Sequence, residues 1–569
     1  MKSLQLLLLS IILTLSSFAE TYYVRKDGSD TNLGTSDSAE GAWLTLAKAN
    51  SFAVAGDTIN IGPGSWGENI SILRGGTEGN PIIWNGSGKE ETICNRFSIV
   101  AKPYVHIKNM TLAWQIETTG AYNLVENCKF TWTGGRQMWI KPLVGYSGPV
   151  GVVVRGTDFI GCGVAVAVNV DGNDCLIENC FFTTANGGDA VYLNGYRNTV
   201  RGCRFINWSR PAGSTQHTDL FQAFTNNGEI SLDHVIEGNF ALNCDGTQIG
   251  NVDNIGEPPR IKNWTFRNNI FINISNPINV YAPEFKFYNN TFFRTTFGSG
   301  ACILFRAGTK GVANDAQLYN NIFYKGGINP SNDTQGFHGF GVADGYTLTG
   351  FQGDNNIVIG EGAGTIKAGN WTAYGGNTTS LNGIDPLFVN SIDPTTPDEV
   401  RLLPTSPAIG AGANLSSTFT NDFTGTARTG AWSIGAMQYT GETNQPADTQ
   451  PPTVVSAIVN TTGTQLTINF SENVFNTTAS HYTLSGTTLS NIGGSGTVRT
   501  FTCTPAINAN VTATLNYESG AGRTSDAAGN LLASISGLVI TNNSLIQTEI
   551  SSKPGRKGVK KTNSGVFSR

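Results

Sequence analysis

The chain has 569 residues, a formal net charge of −5, only 14% charged residues and 69 glycines. That length suits one elongated repeat domain with an appendage, and so glycine-rich and charge-poor a composition favours turns and strands over long helices, an all-β class. The acidic balance excludes nucleic acid as the main partner, and nine cysteines, being odd in number, cannot all pair.

In chain order, Met1-Lys2-Ser3, an apolar run from Leu4 to Leu15 and then Ser16-Ser17-Phe18-Ala19 form the pattern of a secretory signal over residues 1–19, cleaved after Ala19. The run is shorter than a bilayer span, so a secreted protein without membrane insertion is expected. A strand at Tyr22-Tyr23-Val24 precedes Trp43 to Ala49, which reads as a short amphipathic helix able to cover the open end of a stack. Gly56-Asp57-Thr58-Ile59-Asn60-Ile61 then begins the first coil.

One phrase recurs from there on: Val125-Glu126-Asn127-Cys128-Lys129-Phe130, Ile177-Glu178-Asn179-Cys180-Phe181-Phe182, Val200-Arg201-Gly202-Cys203-Arg204-Phe205 and Phe266-Arg267-Asn268-Asn269-Ile270-Phe271 are four of its copies. Aligned, they put Met110, Cys128, Thr157, Cys180, Cys203, Asn239, Asn269, Asn290, Asn321 and Asn356 at one position, with steps of 18, 29, 23, 23, 36, 30, 21, 31 and 35 residues. The short steps are single coils and the long ones carry loops. Each copy has an alternating strand, a Gly or Asn suited to a left-handed backbone, and a Phe returning to the core. The cysteines therefore read as small buried residues of a column, and the asparagines as a hydrogen-bonded ladder. Blades of a propeller repeat at about twice the basic step, so the pattern predicts a right-handed parallel β-helix of ten or more coils over residues 20–440, on the order of 50 Å long.

Asp385-Pro386-Leu387-Phe388 to Ile434-Gly435-Ala436 is irregular and reads as a terminal cap. With this segment, in particular Ser406-Pro407-Ala408-Ile409-Gly410-Ala411-Gly412, together with Tyr22-Tyr23-Val24, Gly56-Asp57-Thr58 and the repeats, the chain resembles the secreted β-helix superfamily of pectate lyases, alginate lyases and chondroitinase B. The resemblance implies an enzyme acting on a polysaccharide. The Lys/Arg constellation of the alginate lyase and chondroitinase B branch is not found in clear form. Residues 441–452 read as a linker, and 453–545, with Gln465 to Phe470, Val511 to Tyr517 and Asp526 to Asn530, resemble a bacterial Ig-like β-sandwich. Residues 546–569 read as a basic disordered tail.

A β-helix core is dry, so chemistry must sit on an outer face or in loops between coils. The long step from Cys203 to Asn239 holds Arg210, His217 and Asp219. Alignment sets Asp189, Asp219 and Asp245 in one column, ending at Val164 and Asn276 in the flanking coils. Carboxylates stacked at about 4.8 Å repel, which suits a Ca²⁺ site or a general acid/base pair; each could equally cap its own turn. Alternation turns Val191, Phe221 and Thr247 inward and Tyr192, Gln222 and Gln248 outward as a sugar-binding ridge. Trp132, Trp139 and Trp208 could stack on sugars or fill the core. The leading expectation is a monomeric lyase that cleaves an acidic, uronate-containing polysaccharide by β-elimination. Ca²⁺ or Arg210 would neutralise the carboxylate, and His217 or Lys262 would take the C5 proton. Arg201 and Arg204 are further candidate cations. The alternatives are a hydrolase using the three aspartates, an epimerase, and a non-catalytic adhesin.

Overall fold

The computed structural model describes residues 19–141, 151–163, 165–184, 187–211, 218–223, 229–244, 248–249, 259–275, 278–294, 301–308, 311–326, 339–342, 346–360, 381–441, 451–472, 474, 477–494, 497–520, 523–526 and 530–545. It divides into two compact units, 1–440 and 441–569.

The first unit is a parallel β-helix. A 13-stranded sheet takes its strands strictly in chain order, from Thr21–Val24 and Thr58–Ile61 through Leu124–Glu126, Leu176–Glu178 and Val235–Glu237 to Gln352–Asp354, every pair parallel. Only a chain that returns to the same edge after each turn produces that order. The second sheet has 18 strands and forks. The long strand Thr92–Ile99 pairs with both Thr111–Leu112 and Ile116–Thr118, and from there two tracks run side by side, joined within each coil by a bend. One track passes through Asp158–Ile160, Phe181–Thr183 and Arg204–Ile206; the other passes through Met138–Ile140, Val166–Val170, Asp189–Leu193 and Phe221–Gln222.

The repeat accounts for the stacking. At the corner between the two long sheets, Asn109, Asn127, Gly156, Asn179, Gly202, Gly238, Asn268, Asn289, Asn320 and Asn355 all have φ between 50° and 63°, a conformation that Gly and Asn adopt at least cost. The next residue points in and is buried at every coil. Where it is Asn the predicted ladder forms: Nδ2 of Asn239, Asn269, Asn290 and Asn321 donates to Oδ1 of the following rung at 3.0, 2.9, 3.0 and 3.0 Å. Where it is Cys the thiol is buried and unpaired with another cysteine. Two residues on, Phe130, Phe159, Phe182 and Phe205 stack at 5.0, 4.9 and 4.7 Å. Phe240 breaks this rule: it lies in register with Arg204 and faces outward, leaving Ala241 opposite Phe205.

Three expectations change. The N-terminal helix is Leu46–Phe52, capped by the Thr45 hydroxyl accepting from Lys48 N at 3.1 Å; Trp43 lies before it, stacked on Tyr22 at 4.6 Å. The first coil starts earlier, because Thr21–Val24 already pairs with Thr58–Ile61. The segment after Leu381 is no simple terminal cap. It doubles back along the outside of the second sheet, where Phe388, Leu402, Ile434 and Ala436 cover Phe240, Ile270, Phe293, Ile322 and Ile357. Asn355, Asn320, Asn289 and Asn268 of four successive coils donate to its carbonyls at Ala411, Ala413, Ser433 and Asn421. Buried Arg428 ties it down, donating to Asn268 Oδ1 and to the carbonyls of Gly435 and Ala436.

The outer face of the 13-stranded sheet carries an alternating charge ladder: Lys108–Glu126 at 2.9 Å, Glu126–Arg155 at 3.4 Å, Arg155–Glu178 at 2.5 Å and Glu178–Arg201 at 2.6 Å. Burial alone would raise the Glu178 carboxyl, but Arg201 and Arg155 together hold it below its ordinary range.

The second unit has a five-stranded and a three-stranded sheet sharing one apolar core that includes Ile468, Phe501, Leu484 and Leu515. Its pairings are antiparallel except Val454–Val459 with Thr541–Asn542.

Candidate active site

The second track of the forked sheet positions the site. Met138, Val168, Val191 and Phe221 lie in register and are fully buried. Their neighbours Trp139, Asn169, Tyr192 and Gln222 form the adjacent column, preceded by Glu117. The expected register of Tyr192 with Gln222 is therefore present; Gln222, however, is only 4% exposed. Gln248 begins a strand in register with Asn279, and its side chain lies outside the described residues.

Counting the same register back two residues puts Arg136, Val166, Asp189 and Asp219 in one column at the leading edge of the strands. The neighbour that precedes Asp189 is Val166, not Val164. Asp189 and Asp219 stack as expected, yet they share strand parity with Val191 and Phe221 rather than with Tyr192 and Gln222, and they are 9% and 5% exposed. Asp189 Oδ1 accepts the Asp219 backbone N–H at 2.9 Å, while Asp219 Oδ2 accepts from Gln222 Nε2 at 3.3 Å. The turn leading in is tight: a Cβ on Gly188 would lie 2.0 Å from the Ala165 carbonyl oxygen, and the Trp208 indole donates to the Gly188 carbonyl at 3.1 Å. Trp208 is thus a core residue, edge-on to Phe182, and not a sugar platform.

The cation at the site is one the sequence reading did not single out. Arg136 is exposed, with its guanidinium 4.5 Å from the Trp139 ring centroid and its Nε donating to Asn169 Oδ1 at 3.1 Å. Lys141 sits 4.6 Å from the same indole and ion-pairs with Glu117, which also takes Arg96 at 3.4 Å. The indole Nε1 donates to Asp171 Oδ2 at 2.8 Å. Trp139 is therefore a post that holds two cations. No carboxylate among the described residues ion-pairs Arg136. Beside it, Asn169 Nδ2 is buried without a hydrogen-bond partner, as are Asn194 Oδ1 and Thr218 Oγ1; buried polar atoms of this kind call for a water or a ligand hydroxyl. In the bend before Arg136, Trp132 stacks on Trp114 at 4.8 Å, and Trp114 is 38% exposed.

The remaining candidates separate. Lys262 lies on a different, three-stranded sheet in register with Leu232 and faces Glu284 at 3.6 Å, so it is not brought to the aspartate column. Arg201 belongs to the charge ladder and Arg204 lies over the Phe240 ring. Arg210 is exposed at the start of the loop between the tracks. His217 and Asp245 lie outside the described residues. No group of three His, Cys, Asp or Glu among the described residues is placed to hold a metal.

No family model matches the chain. Over 82 residues it is 34% identical to the uncharacterized protein YwoF of Bacillus subtilis (strain 168), a match covering 14% of this chain and 17% of that one; the chain thus spans under a fifth of that relative's length. Among solved structures it is similar to XylC in complex with xylose, at 11% identity over 73% of this chain and 98% of that one with a TM-score of 0.46. It is also similar to the pectate lyase Pel9A, at 14% identity over 74% and 97% with a TM-score of 0.41. A PL6 family polysaccharide lyase from Pseudopedobacter saltans matches at 14% identity over 63% and 97%, with a TM-score of 0.38. At these identities none of them assigns a role to a residue here.

Proposed function

We propose that the chain is a secreted polysaccharide-degrading enzyme that cleaves a uronate-containing polymer by β-elimination on the second track of the forked sheet. The observation that carries this reading is the exposed Arg136 guanidinium, fixed on Trp139 and Asn169 yet without a carboxylate partner among the described residues. A planar fork of this kind recognises a carboxylate through two parallel hydrogen bonds. Withdrawing charge from a uronate carboxylate acidifies the C5 proton next to it. His217, two residues before Asp219, is the proposed base, because an imidazolium with a reference pKa near 6.5 leaves the ring largely neutral and able to accept a proton at about pH 7. As the C5–H bond breaks, its electron pair forms the C4–C5 double bond and the C4–O4 bond opens, the leaving oxygen taking a proton from water. The Trp114–Trp132 pair supports ring-face contacts with the sugars.

The purified protein is incubated with polygalacturonate and with alginate while the ultraviolet absorbance of the unsaturated product is followed. Rising absorbance supports elimination, and depolymerisation without it favours the second reading, hydrolysis by the Asp189–Asp219 pair. That reading rests on their stacking: adjacent coils lie about 4.8 Å apart, near the separation of about 5 Å that retaining glycosidases use. Binding without depolymerisation would refute both.

A further inference from the structure

At the corner that enters the 13-stranded sheet, most coils again take a left-handed residue. Asp174, Arg197, Asp233, Asn263, Glu284 and Asp315 fill it with φ between 53° and 63°. Two earlier coils place tyrosine there instead: Tyr104 has φ 52° and Tyr122 has φ 56°. A bulky aromatic pays for this backbone conformation, and the same choice in successive coils asks for a return. The return is geometric, since the rings stack at 5.0 Å and 21° and Tyr122 remains 47% exposed. Pro81 is level with Tyr104 in the coil before, and Gly151 takes the corner in the coil after, where a Cβ would lie 2.9 Å from the Tyr122 ring. Beside the tyrosines lies an open surface cavity of about 400 Å³, lined by His106, Leu124, Val153, Pro81 and Arg155.

We propose that this cavity is a second glycan-binding site, on a different sheet from the Arg136 site and independent of the chemistry assigned there, and that it takes an uncharged pyranose of a polysaccharide chain. Its volume lies in the range of small-ligand pockets. Tyrosine rings with leucine and valine suit the C–H face of a sugar. Uncharged follows from the cations and anions present: Arg155 is committed to Glu126 and Glu178, and Lys108 to Glu126. His106 adds a ring nitrogen for a hydroxyl, and burial, followed by Lys108, pushes it down to about 4.

The test is calorimetric titration of the full chain with xylohexaose, cellohexaose and hexagalacturonate, in wild type, Tyr122→Asn, Tyr122→Phe and Arg136→Ala. Asn is the residue that Asn263 already uses at this corner, so Tyr122→Asn relieves the backbone and should fold at least as stably, which a melting curve checks. Expected is binding of a neutral hexasaccharide, weakened about tenfold or more by Tyr122→Asn, kept by Tyr122→Phe and untouched by Arg136→Ala. The proposal is overturned if neither neutral oligosaccharide binds wild type, if only the acidic one binds, or if Arg136→Ala rather than Tyr122→Asn removes neutral-sugar binding.

Discussion

Replacing Asn290 by alanine removes one rung from the middle of the buried amide ladder, and its cost follows from the contacts. Asn290 Oδ1 accepts Asn269 N and Asn269 Nδ2 at 3.0 and 2.9 Å, and its Nδ2 donates to Phe266 O and Asn321 Oδ1 at 2.9 and 3.0 Å. Asn269 Nδ2 keeps Ile236 O, and Asn321 Oδ1 keeps Asn290 N. The Asn269 backbone N–H loses its partner in the dry interior. One stranded donor at about 2 kcal/mol and three net hydrogen bonds lost at about 0.7 kcal/mol each amount to roughly 4 kcal/mol. In a stacked solenoid that loss stays local, so hydrogen exchange of the amides from 266 to 292 should accelerate well beyond those of the early coils. Asn290→Cys should be milder, since the thiol of Cys203 already reaches the Ile177 carbonyl at 3.7 Å from the equivalent place. A loss under about 1 kcal/mol, or exchange accelerated evenly along the whole rod, would refute the assignment of the ladder as a structural spine.

Arg136→Ala should lower elimination on polygalacturonate or alginate by about 10²-fold or more with an unchanged circular dichroism spectrum. Arg136→Lys should recover little, because an ammonium can neither hold the Asn169 contact through Nε nor present a planar fork. On the proposed mechanism the charge-neutralising role falls to a guanidinium, so chelation should leave both rate and melting temperature unaltered; a fall in rate with EDTA that Ca²⁺ restores would overturn that assignment. Stability should weaken in acid through His234. Its Nδ1 accepts Asn198 N at 3.0 Å, and the Ser231 hydroxyl donates to Leu193 O at 2.6 Å, so Nε2 must donate to Ser231 Oγ at 3.1 Å, which fixes the neutral tautomer. Burial pushes its pKa down to about 3. The unfolded chain, with a histidine pKa near 6.5, binds that proton first. The contribution is therefore complete above about pH 6.5 and falls by about 1.4 kcal/mol per pH unit toward 3. Urea titrations of wild type and His234→Gln at pH 7 and 5 should show the smaller acid loss in the variant.

The coil was legible because its corner residue, its inward column and its aromatic stack recur at fixed offsets, and each offset has a backbone reason. Handling the aspartates needed one more step: Asp189 and Val191 differ by two positions, so they share a face, and parity alone excludes Asp189 from the ridge of Tyr192. Arg136 was also within reach, by carrying the Val191–Phe221 alignment back through Val168 to Met138. Lys262 failed because nothing local tells a residue which of several sheets a short strand will join. The returning segment was illegible for a different reason. Its partners, such as Asn289 with Ser433, are separated by 144 residues, and no periodicity links an irregular stretch to the outer surface of coils.

That returning segment sets an order of assembly. Residues 385–437 are made after all the coils they lie on, so until the ribosome releases them the outward side chains Phe240, Ile270, Phe293, Ile322 and Ile357 face water as one apolar stripe. Coils with such a stripe and no cover are prone to associate with one another. A chain ending near residue 380 would keep every rung of the ladder and still be expected to precipitate, whereas the same residues supplied as a separate peptide should restore solubility.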